Sequence, residues 1–256
     1  MNAMKTPGKT LCAAMLGLAL AGGAGAADIF VMSAGAAKAG VQPLVESFEK
    51  ATGHKVTISF GTMGLLQEKL GKGERADVLI VASEVADDMQ KRNVIVPASR
   101  APIAKVGVGV AVNENAAAPD ISTPEAFKQA LLNAKSIVYI DPTKGTSGKH
   151  LVTVFDKLGV TSQVNAKATL GDGGYIVEPV GKGQIELGLH QISEILPVKG
   201  VKLVGPLPEA LQKWTTYVAA ATPGSTAPDA ARELIRYLAG SQAKPVFASK
   251  GFVSAD

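Results

Sequence analysis

Residues 136–159 combine a short apolar run, a polar turn and an amphipathic segment, in that order. Residues 137–140 are all β-branched or aromatic, which is typical of a buried strand, and Asp141-Pro142 ends the run. Apolar residues then recur between positions 151 and 158 at the spacing of one helix face, and Gly159 is predicted to end that helix. A strand that leads through a turn into a helix is the building unit of α/β folds.

The turn itself, at 144–148, has the sequence Lys-Gly-Thr-Ser-Gly. The first backbone N–H groups of a helix have no partner within the helix, and that end carries a partial positive charge. Thr146 and Ser147 add hydroxyl donors to these N–H groups. The turn therefore predicts a site for an anion.

The same order of strand, turn and helix recurs along the chain. Ser122 is predicted to cap the helix that carries Phe127 and Leu131, because Glu125 completes a capping box. Short apolar strands that alternate with helices predict parallel sheets covered by helices, so the predicted fold class is α/β. The other strands are predicted at 28–32, 55–60, 78–82, 105–112, 167–170, 185–189, 201–204 and 214–221.

Four turns, at Ser33, Thr62, Thr146 and Gly173, each place glycine with a hydroxyl or aromatic residue between a strand and a helix. Open α/β sheets bind ligands outside the carboxyl ends of their strands. Four such turns around one crevice predict a site for a small anion. The alternative is that each is an ordinary turn that needs a flexible residue and a cap.

The N-terminal segment 1–26 has the three parts of a secretory signal peptide. Lys5 and Lys9 precede an apolar run over 11–20, and small residues follow up to position 26, so cleavage is expected before Ala27. A membrane anchor, the alternative, needs about 20 continuous apolar residues. The only cysteine, Cys12, lies in this segment, and export without a disulfide indicates a bacterial periplasm.

Composition and motifs exclude several classes of function. The formal net charge of +4 includes the two lysines of the leader, and no cluster of Lys, Arg and aromatic residues indicates nucleic-acid binding. The central turn departs from a Walker A loop at Thr143 and His150, and from a nucleophile elbow at Lys149. The histidines lack partners at the spacing of metal ligands. We therefore expect no metal and no cofactor.

Three segments, at 58–83, 139–159 and 183–208, carry a resemblance to a known family. Together with the leader and the early strand, they resemble bacterial extracellular solute-binding proteins of the type II periplasmic fold, in particular the molybdate-binding family and its less characterised relatives. The resemblance implies two α/β lobes joined by two crossing strands, at 105–112 and 214–221. Lobe one is expected at 27–109 plus 218–256, and lobe two at 110–217.

This family captures a small solute for an ABC importer, so the resemblance implies a small anionic ligand, the importer's membrane subunits as partners and a monomeric protein. The loops SAGAA and GTMG, and Gln191 where molybdate binders have tyrosine, leave the choice between an oxyanion such as molybdate and an organic carboxylate open. The implied ligand site consists of Ser33, Ala34, Gly35, Thr62, Met63, Thr146, Ser147, Gly173, Gly174, Tyr175 and Gln191.

The chain also resembles aconitate isomerases of pseudomonads, which shift a double bond by moving a proton between two carbons. That reaction needs a base at an acidic C–H and donors that stabilise the developing charge. The candidates for these roles are His190, Lys149, Tyr175 and Glu194, and the sequence assigns no role to any of them. Binding is the main hypothesis, and isomerisation is its alternative.

Overall fold

The computed structural model describes Met1 and residues 25–255, so the predicted signal peptide lies almost wholly outside the described residues. The strands are β1 Asp28–Ala34, β2 Lys55–Gly61, β3 Val78–Ala82, β4 Ala101–Val106, β5 Val108–Asn113, β6 Ile137–Ile140, β7 Ala168–Gly171, β8 Leu187–Gln191, β9 Val201–Pro206 and β10 Thr215–Ala221. The helices are α1 Lys38–Thr52, α2 Met63–Gly71, α3 Ser83–Lys91, α4 Pro124–Asn133, α5 Thr146–Leu158, α6 Thr161–Asn165, α7 Glu178–Gly181, α8 Ile192–Ile195, α9 Pro228–Ala239 and α10 Ala243–Ala248.

Residues 25–255 form two five-stranded sheets, each with helices packed against it. The first sheet has the order β2-β1-β3-β10-β4, in which β1 is parallel to β2 and β3, and β10 is antiparallel to β3 and β4. The second sheet repeats this plan in the order β7-β6-β8-β5-β9. The prediction of an α/β fold with mostly parallel sheets is confirmed. In each sheet four strands run in one direction, and one strand, β10 or β5, runs in the opposite direction.

The chain passes from the first sheet to the second at Gly107, which separates β4 from β5. The sequence predicts one strand over 105–112, and this is wrong because the Gln212 side chain takes the place of a partner strand there. Its amide donates to Val108 O at 2.8 Å and accepts from Val108 N at 3.0 Å. A Cβ on Gly107 would lie 2.9 Å from Gln212 Nε2, so glycine leaves room for this contact.

The chain returns to the first sheet between the end of β9 and the start of β10. The changes of sheet thus fall at 107 and within 207–214. The division into lobe one at 27–109 plus 218–256 and lobe two at 110–217 stays a prediction.

The helices bury the faces that the sequence predicts, because apolar residues at helical spacing form one stripe that packs against a sheet. Phe48 of α1, Phe127 of α4 and Phe155 of α5 are fully buried. Helix α5 ends at Gly159, which has φ 68° and gives the left-handed backbone that commonly follows a helix. Burial of these apolar faces holds each helix against its sheet, and this determines the position of the helix N-terminus.

Helix α4 begins one residue later than the capping box predicts. Its N-cap is Thr123, whose side chain accepts from Ala126 N at 3.1 Å, so the prediction of Ser122 as the cap is wrong. Pro124 occupies the first helical position, where its fixed φ fits and its missing N–H costs nothing. Among the described residues, no helix has both the length and the apolar character needed to cross a membrane.

Candidate functional site

A cleft with a volume of about 280 Å³ lies between the two sheets, at the carboxyl ends of their central strands. The first sheet and its helices contribute Ala34, Gly35, Ala36, Lys38, Phe60, Gly61, Thr62, Met63 and Tyr217. The second sheet and its helices contribute Ile140, Gly145, Thr146, Ser147, Gly174, Tyr175, His190, Gln191 and Glu194. Strand ends of parallel sheets are the usual position for a ligand site in α/β folds.

Nine of the eleven predicted site residues line this cleft, and Ser33 and Gly173 do not. Ser33 is fully buried inside the sheet, and its hydroxyl donates to Ala34 O at 3.2 Å. Gly173 faces the other sheet's helix instead, because a Cβ on it would lie 2.7 Å from Thr62 Cγ2. The structure therefore brings the four predicted turns together, and the role of each residue in ligand binding stays a prediction.

Three helices of eight or more residues begin at the cleft. Helix α1 is entered through a 3₁₀ turn at Gly35–Ala37, and α5 follows Gly145, and neither start has a side-chain cap. Helix α2 is capped by Thr62, whose Oγ1 accepts from Leu65 N at 3.3 Å. Each helix N-terminus carries about half a positive charge, so the three starts together favour an anion.

The two halves of the molecule touch across the cleft. The N–H of Gly64 in α2 donates to Lys144 O at 3.3 Å. The hydroxyl of Ser193, in α8 of the second half, donates to Ala36 O of the first half at 2.7 Å. These contacts join the first sheet to the second around the site, so a ligand in the cleft would be held from both sides.

Lys38 is a cleft residue that the sequence reasoning missed. Its Nζ lies 5.6 Å from the centre of the Phe60 ring and 5.9 Å from the centre of the Tyr175 ring. Phe60 belongs to β2 of the first sheet, whereas Tyr175 follows β7, an edge strand of the second. The available signal was a cation in the first turn of a helix, where the helix dipole disfavours positive charge.

His190 and Glu194 form a buried ion pair in the wall of the cleft. His190 Nε2 lies 3.1 Å from Glu194 Oε2 and 3.0 Å from Gly174 O, so its N–H is shared between two acceptors. Burial alone would lower the pKa of His190, but the charge and hydrogen bond of Glu194, helped by Gly174, outweigh burial and raise it. The protonated imidazolium is thereby favoured beside the carboxylate.

The four residues named as isomerase candidates have different positions. His190, Glu194 and Tyr175 line the cleft, and Lys149 is exposed and lies outside the lining. Oε1 of Glu194 lies 3.3 Å from the place that a Cβ on Gly35 would occupy. A side chain at position 35 would therefore crowd the carboxylate, which explains glycine at this turn.

Gln191 lines the cleft with a side-chain amide that is unpaired. Both its Oε1 and its Nε2 are buried and have no hydrogen-bond partner among the described residues, and the same holds for His190 Nδ1. A buried polar group without a partner costs about 1–3 kcal/mol, so such groups need an explanation. An amide that both donates and accepts is well suited to pair with a polar ligand.

Tyr217 is a second cleft residue that the sequence reasoning missed, because it lies within a strand predicted only as a crossing. Burial raises its pKa, the nearby charge of Glu194 raises it further, and the hydrogen bond with Thr146 opposes both. The phenol is therefore protonated at neutral pH and is available as a donor. Within residues 25–255, no group of three His, Cys, Asp or Glu side chains is arranged to hold a metal ion.

Comparison with known proteins gives a consistent result over almost the whole chain. Residues 29–253 match a family model described as "Bacterial extracellular solute-binding protein". The chain is 30% identical over 226 residues to an aconitate isomerase of Pseudomonas sp, with 86% of each chain covered. It is 28% identical over 243 residues to the molybdate-binding protein ModA of Azotobacter vinelandii, with 91% of this chain and 92% of the relative covered.

A solved structure, the periplasmic molybdate-binding protein of Azotobacter vinelandii, is similar in fold. Its TM-score is 0.75 at 18% identity, and the match covers 89% of this chain and 100% of that one. At this identity the likeness establishes the fold alone, which is the type II periplasmic binding-protein fold that the sequence predicted.

Proposed function

Because the chain belongs to the bacterial extracellular solute-binding protein family, we propose that it binds a small organic carboxylate in the cleft between its two sheets and delivers it to an ABC importer. The observation that carries the proposal is the convergence of three helix N-termini and Lys38 on one cleft. Together they provide backbone donors, partial positive charge and one full positive charge, each of which favours a carboxylate.

The composition of the lining supports a carboxylate with a carbon skeleton over a compact oxyanion. Phe60, Met63, Ile140 and Tyr175 line the cleft beside its polar groups. A tetrahedral oxyanion needs donors on all sides, whereas an organic anion has apolar parts that such walls cover. The volume of about 280 Å³ is also close to the lower limit of about 300 Å³ for ordinary small-molecule pockets.

Residues 1–26 and the family membership support export, so we place the mature protein in the periplasm, with the importer's membrane subunits as its partners. A thermal-shift panel with molybdate, tungstate, sulfate, citrate and both aconitates tests the ligand class. We expect citrate or an aconitate to raise the melting temperature with concentration, because a ligand that binds only the folded state stabilises it. Stabilisation by molybdate and tungstate alone would overturn the choice of a carboxylate.

A second candidate function, isomerisation of a tricarboxylate, is favoured by the His190–Glu194 pair. A binding protein needs only a cradle for its ligand, whereas an allylic proton shift also needs a base beside a C–H bond. Oε1 of Glu194 lies near Gly35 at the cleft, and Oε2 is held by His190. The 30% identity to an aconitate isomerase also supports this candidate.

In this reaction, Glu194 would take a proton from the methylene carbon of the substrate. The C–H electron pair forms a new double bond as the charge spreads onto the adjacent carboxylate, which Lys38 and the helix N-termini stabilise. The proton then returns to the far carbon of the former double bond. No atom or electron is gained or lost, and Glu194 is regenerated as a carboxylate.

Proton NMR of trans-aconitate with the protein in D₂O distinguishes the two candidates. An isomerase produces cis-aconitate, with deuterium at the newly protonated carbon to the extent that the proton on Glu194 exchanges with D₂O before it returns, and Glu194→Gln abolishes both while trans-aconitate still binds. If the protein only binds trans-aconitate, the ligand raises its melting temperature, and neither cis-aconitate nor deuterium incorporation is observed. Gln184→Glu, remote from the cleft lining, serves as a control for altered charge.

A further inference from the structure

Lys38 occupies an electrostatically unfavourable position. It is the first residue of α1, where the helix dipole disfavours a cation, and its side chain is half-buried in the cleft. Its recorded contacts are with two aromatic rings, and no carboxylate of residues 25–255 forms an ion pair with it. Because a charge that is partly removed from water is stabilised by a counter-ion, a lysine here favours a negative partner from outside the chain.

The two rings hold the ammonium group at one side of the cleft. Phe60 lies in the first sheet and Tyr175 in the turn after β7 of the second, so Nζ lies where the two halves of the molecule meet. An ammonium group has three N–H donors. The faces of aromatic rings attract its charge but do not use all three donors in conventional hydrogen bonds. The group therefore keeps donors for a ligand.

The starts of α2 and α5 form a separate part of the lining. The N–H of Gly64 in α2 donates to Lys144 O just before α5, and residues at both helix starts line the cleft, so these two helix starts face each other across it. Neither start contributes to the recorded contacts of Lys38. One carboxylate can occupy the helix starts, and a second is needed to pair with Lys38.

The positive charge of the residues that line the cleft is large enough to favour a ligand with more than one negative charge. Three helix N-termini contribute about half a charge each, and Lys38 contributes a full one. His190 and Glu194 largely cancel one another as an ion pair. A ligand with one negative charge would leave part of this positive potential unmatched.

We propose that Lys38 is a specificity-determining residue, which selects ligands with two or three carboxylates over those with one. The inference rests on the proposed function and goes beyond it, since a cradle of helix N-termini would accept a monocarboxylate equally well. Lys38 then pairs with the additional carboxylate while the helix starts hold the first.

Isothermal titration with tricarballylate, glutarate and butyrate tests the proposal, because these saturated acids carry three, two and one carboxylates and cannot isomerise. We expect the wild-type protein to bind tricarballylate or glutarate more tightly than butyrate. Lys38→Met should weaken binding of the polycarboxylates about tenfold or more and leave butyrate unchanged, because only the former lose an ion pair. Lys38→Arg should restore part of the loss.

Lys50→Met is the matched control, since Lys50 lies in the last turn of the same helix and is exposed. Melting curves verify that each variant is folded, and Lys38→Gln replaces Lys38→Met if the latter is not. Equal binding of tricarballylate by wild type and Lys38→Met overturns the inference and leaves the proposed function intact. If the wild-type protein binds no carboxylate at all, the proposed function fails first, and this inference fails with it.

Discussion

His190 Nε2 lies 3.1 Å from Glu194 Oε2, and both side chains are almost fully buried beside the ligand cleft. Removing two opposite charges from water costs free energy, which their attraction offsets only when the geometry is good. Position 190 is the next-to-last residue of β8, and position 194 lies on α8 immediately after it, so local chain geometry brings the two together. The pair places two titratable groups close enough to the cleft to interact electrostatically with a charged ligand.

The first prediction is a dependence of stability on pH that originates at His190. Because its pKa is raised in the folded protein, folding favours the protonated form. Its contribution to the free energy of unfolding is therefore complete below about pH 6.5, the pKa in the unfolded chain, and is lost as the pH rises through the folded pKa. Chemical denaturation from about pH 6 to about pH 9 measures this loss.

His190→Gln is the comparison for this measurement, since the amide keeps a donor for Gly174 and Glu194 but does not titrate. The difference in unfolding free energy between wild type and variant should shrink as the pH rises. A difference that is constant across the range would show that His190 is not the group responsible.

The second prediction concerns the hydroxyl of Ser147, which lies in the first turn of α5 and lines the cleft. The side chain is buried, and its hydroxyl forms no recorded hydrogen bond with other described residues. Ser147→Ala should weaken binding of the stabilising carboxylate by about 1 kcal/mol, the usual contribution of one hydrogen bond. Isothermal titration measures the change, and exposed Ser162→Ala is the control.

The third prediction is that Gly148→Ala destabilises the protein strongly. A Cβ on Gly148 would overlap Ile140 O and would lie 3.0 Å from backbone atoms of Asp141 and Pro142, and none of these can move as a flexible side chain would. The start of α5 must shift from β6 or the helix must unravel there, so carboxylate affinity should fall together with the melting temperature.

Gly71→Ala provides the matched control, because it lies in the last turn of α2 and a Cβ there meets nothing within 4 Å. Alanine favours helix by about 1 kcal/mol over glycine, so this variant should be equally or more stable than wild type. If both variants unfold at the same temperature, the close packing of α5 on β6 is not as described.

The fourth prediction concerns Asp77, which joins β1 to the loop before α9. Its Oδ2 accepts from Phe30 N at 2.8 Å, and its Oδ1 accepts from Ser225 Oγ at 2.8 Å and Thr226 N at 2.7 Å. Asp77→Asn replaces one acceptor oxygen by a donor, which leaves either the N–H of Phe30 or the donors of Ser225 and Thr226, all in partly buried hydrogen bonds, without their acceptor. The free energy of unfolding should fall by about 2–3 kcal/mol in urea titrations.

The same residue predicts a second dependence on pH. Burial alone would raise the pKa of Asp77, but hydrogen bonds from Phe30, Ser225, Thr226 and Ala227 outweigh burial and lower it. Its contribution to stability is therefore present above about pH 4, the pKa in the unfolded chain, and is lost as the pH falls through the folded pKa. Asp77→Asn should unfold with a smaller loss of stability under acid than the wild-type protein.

Local patterns in the sequence determined the elements that position the site. Strands β3 and β6 and the end of α5 at Gly159 lie at their predicted positions, because burial of a strand or of one helix face imposes a short-range periodicity. The turns at Thr62 and Thr146 were predicted from local residue types. The cap of α4 is Thr123 and not the adjacent Ser122, because local residue types alone do not distinguish two neighbouring hydroxyl residues.

The tertiary structure decided which side chains share the cleft. Lys38, Tyr217 and Glu194 are far apart in the chain, and they line one site because two sheets close on each other. It also excluded Ser33 and Gly173 from the lining and divided the predicted strand at Gly107. Periodicity is a property of neighbouring residues, whereas a site is formed by contacts between residues distant in the sequence, so the first can be predicted from sequence and the second requires the fold.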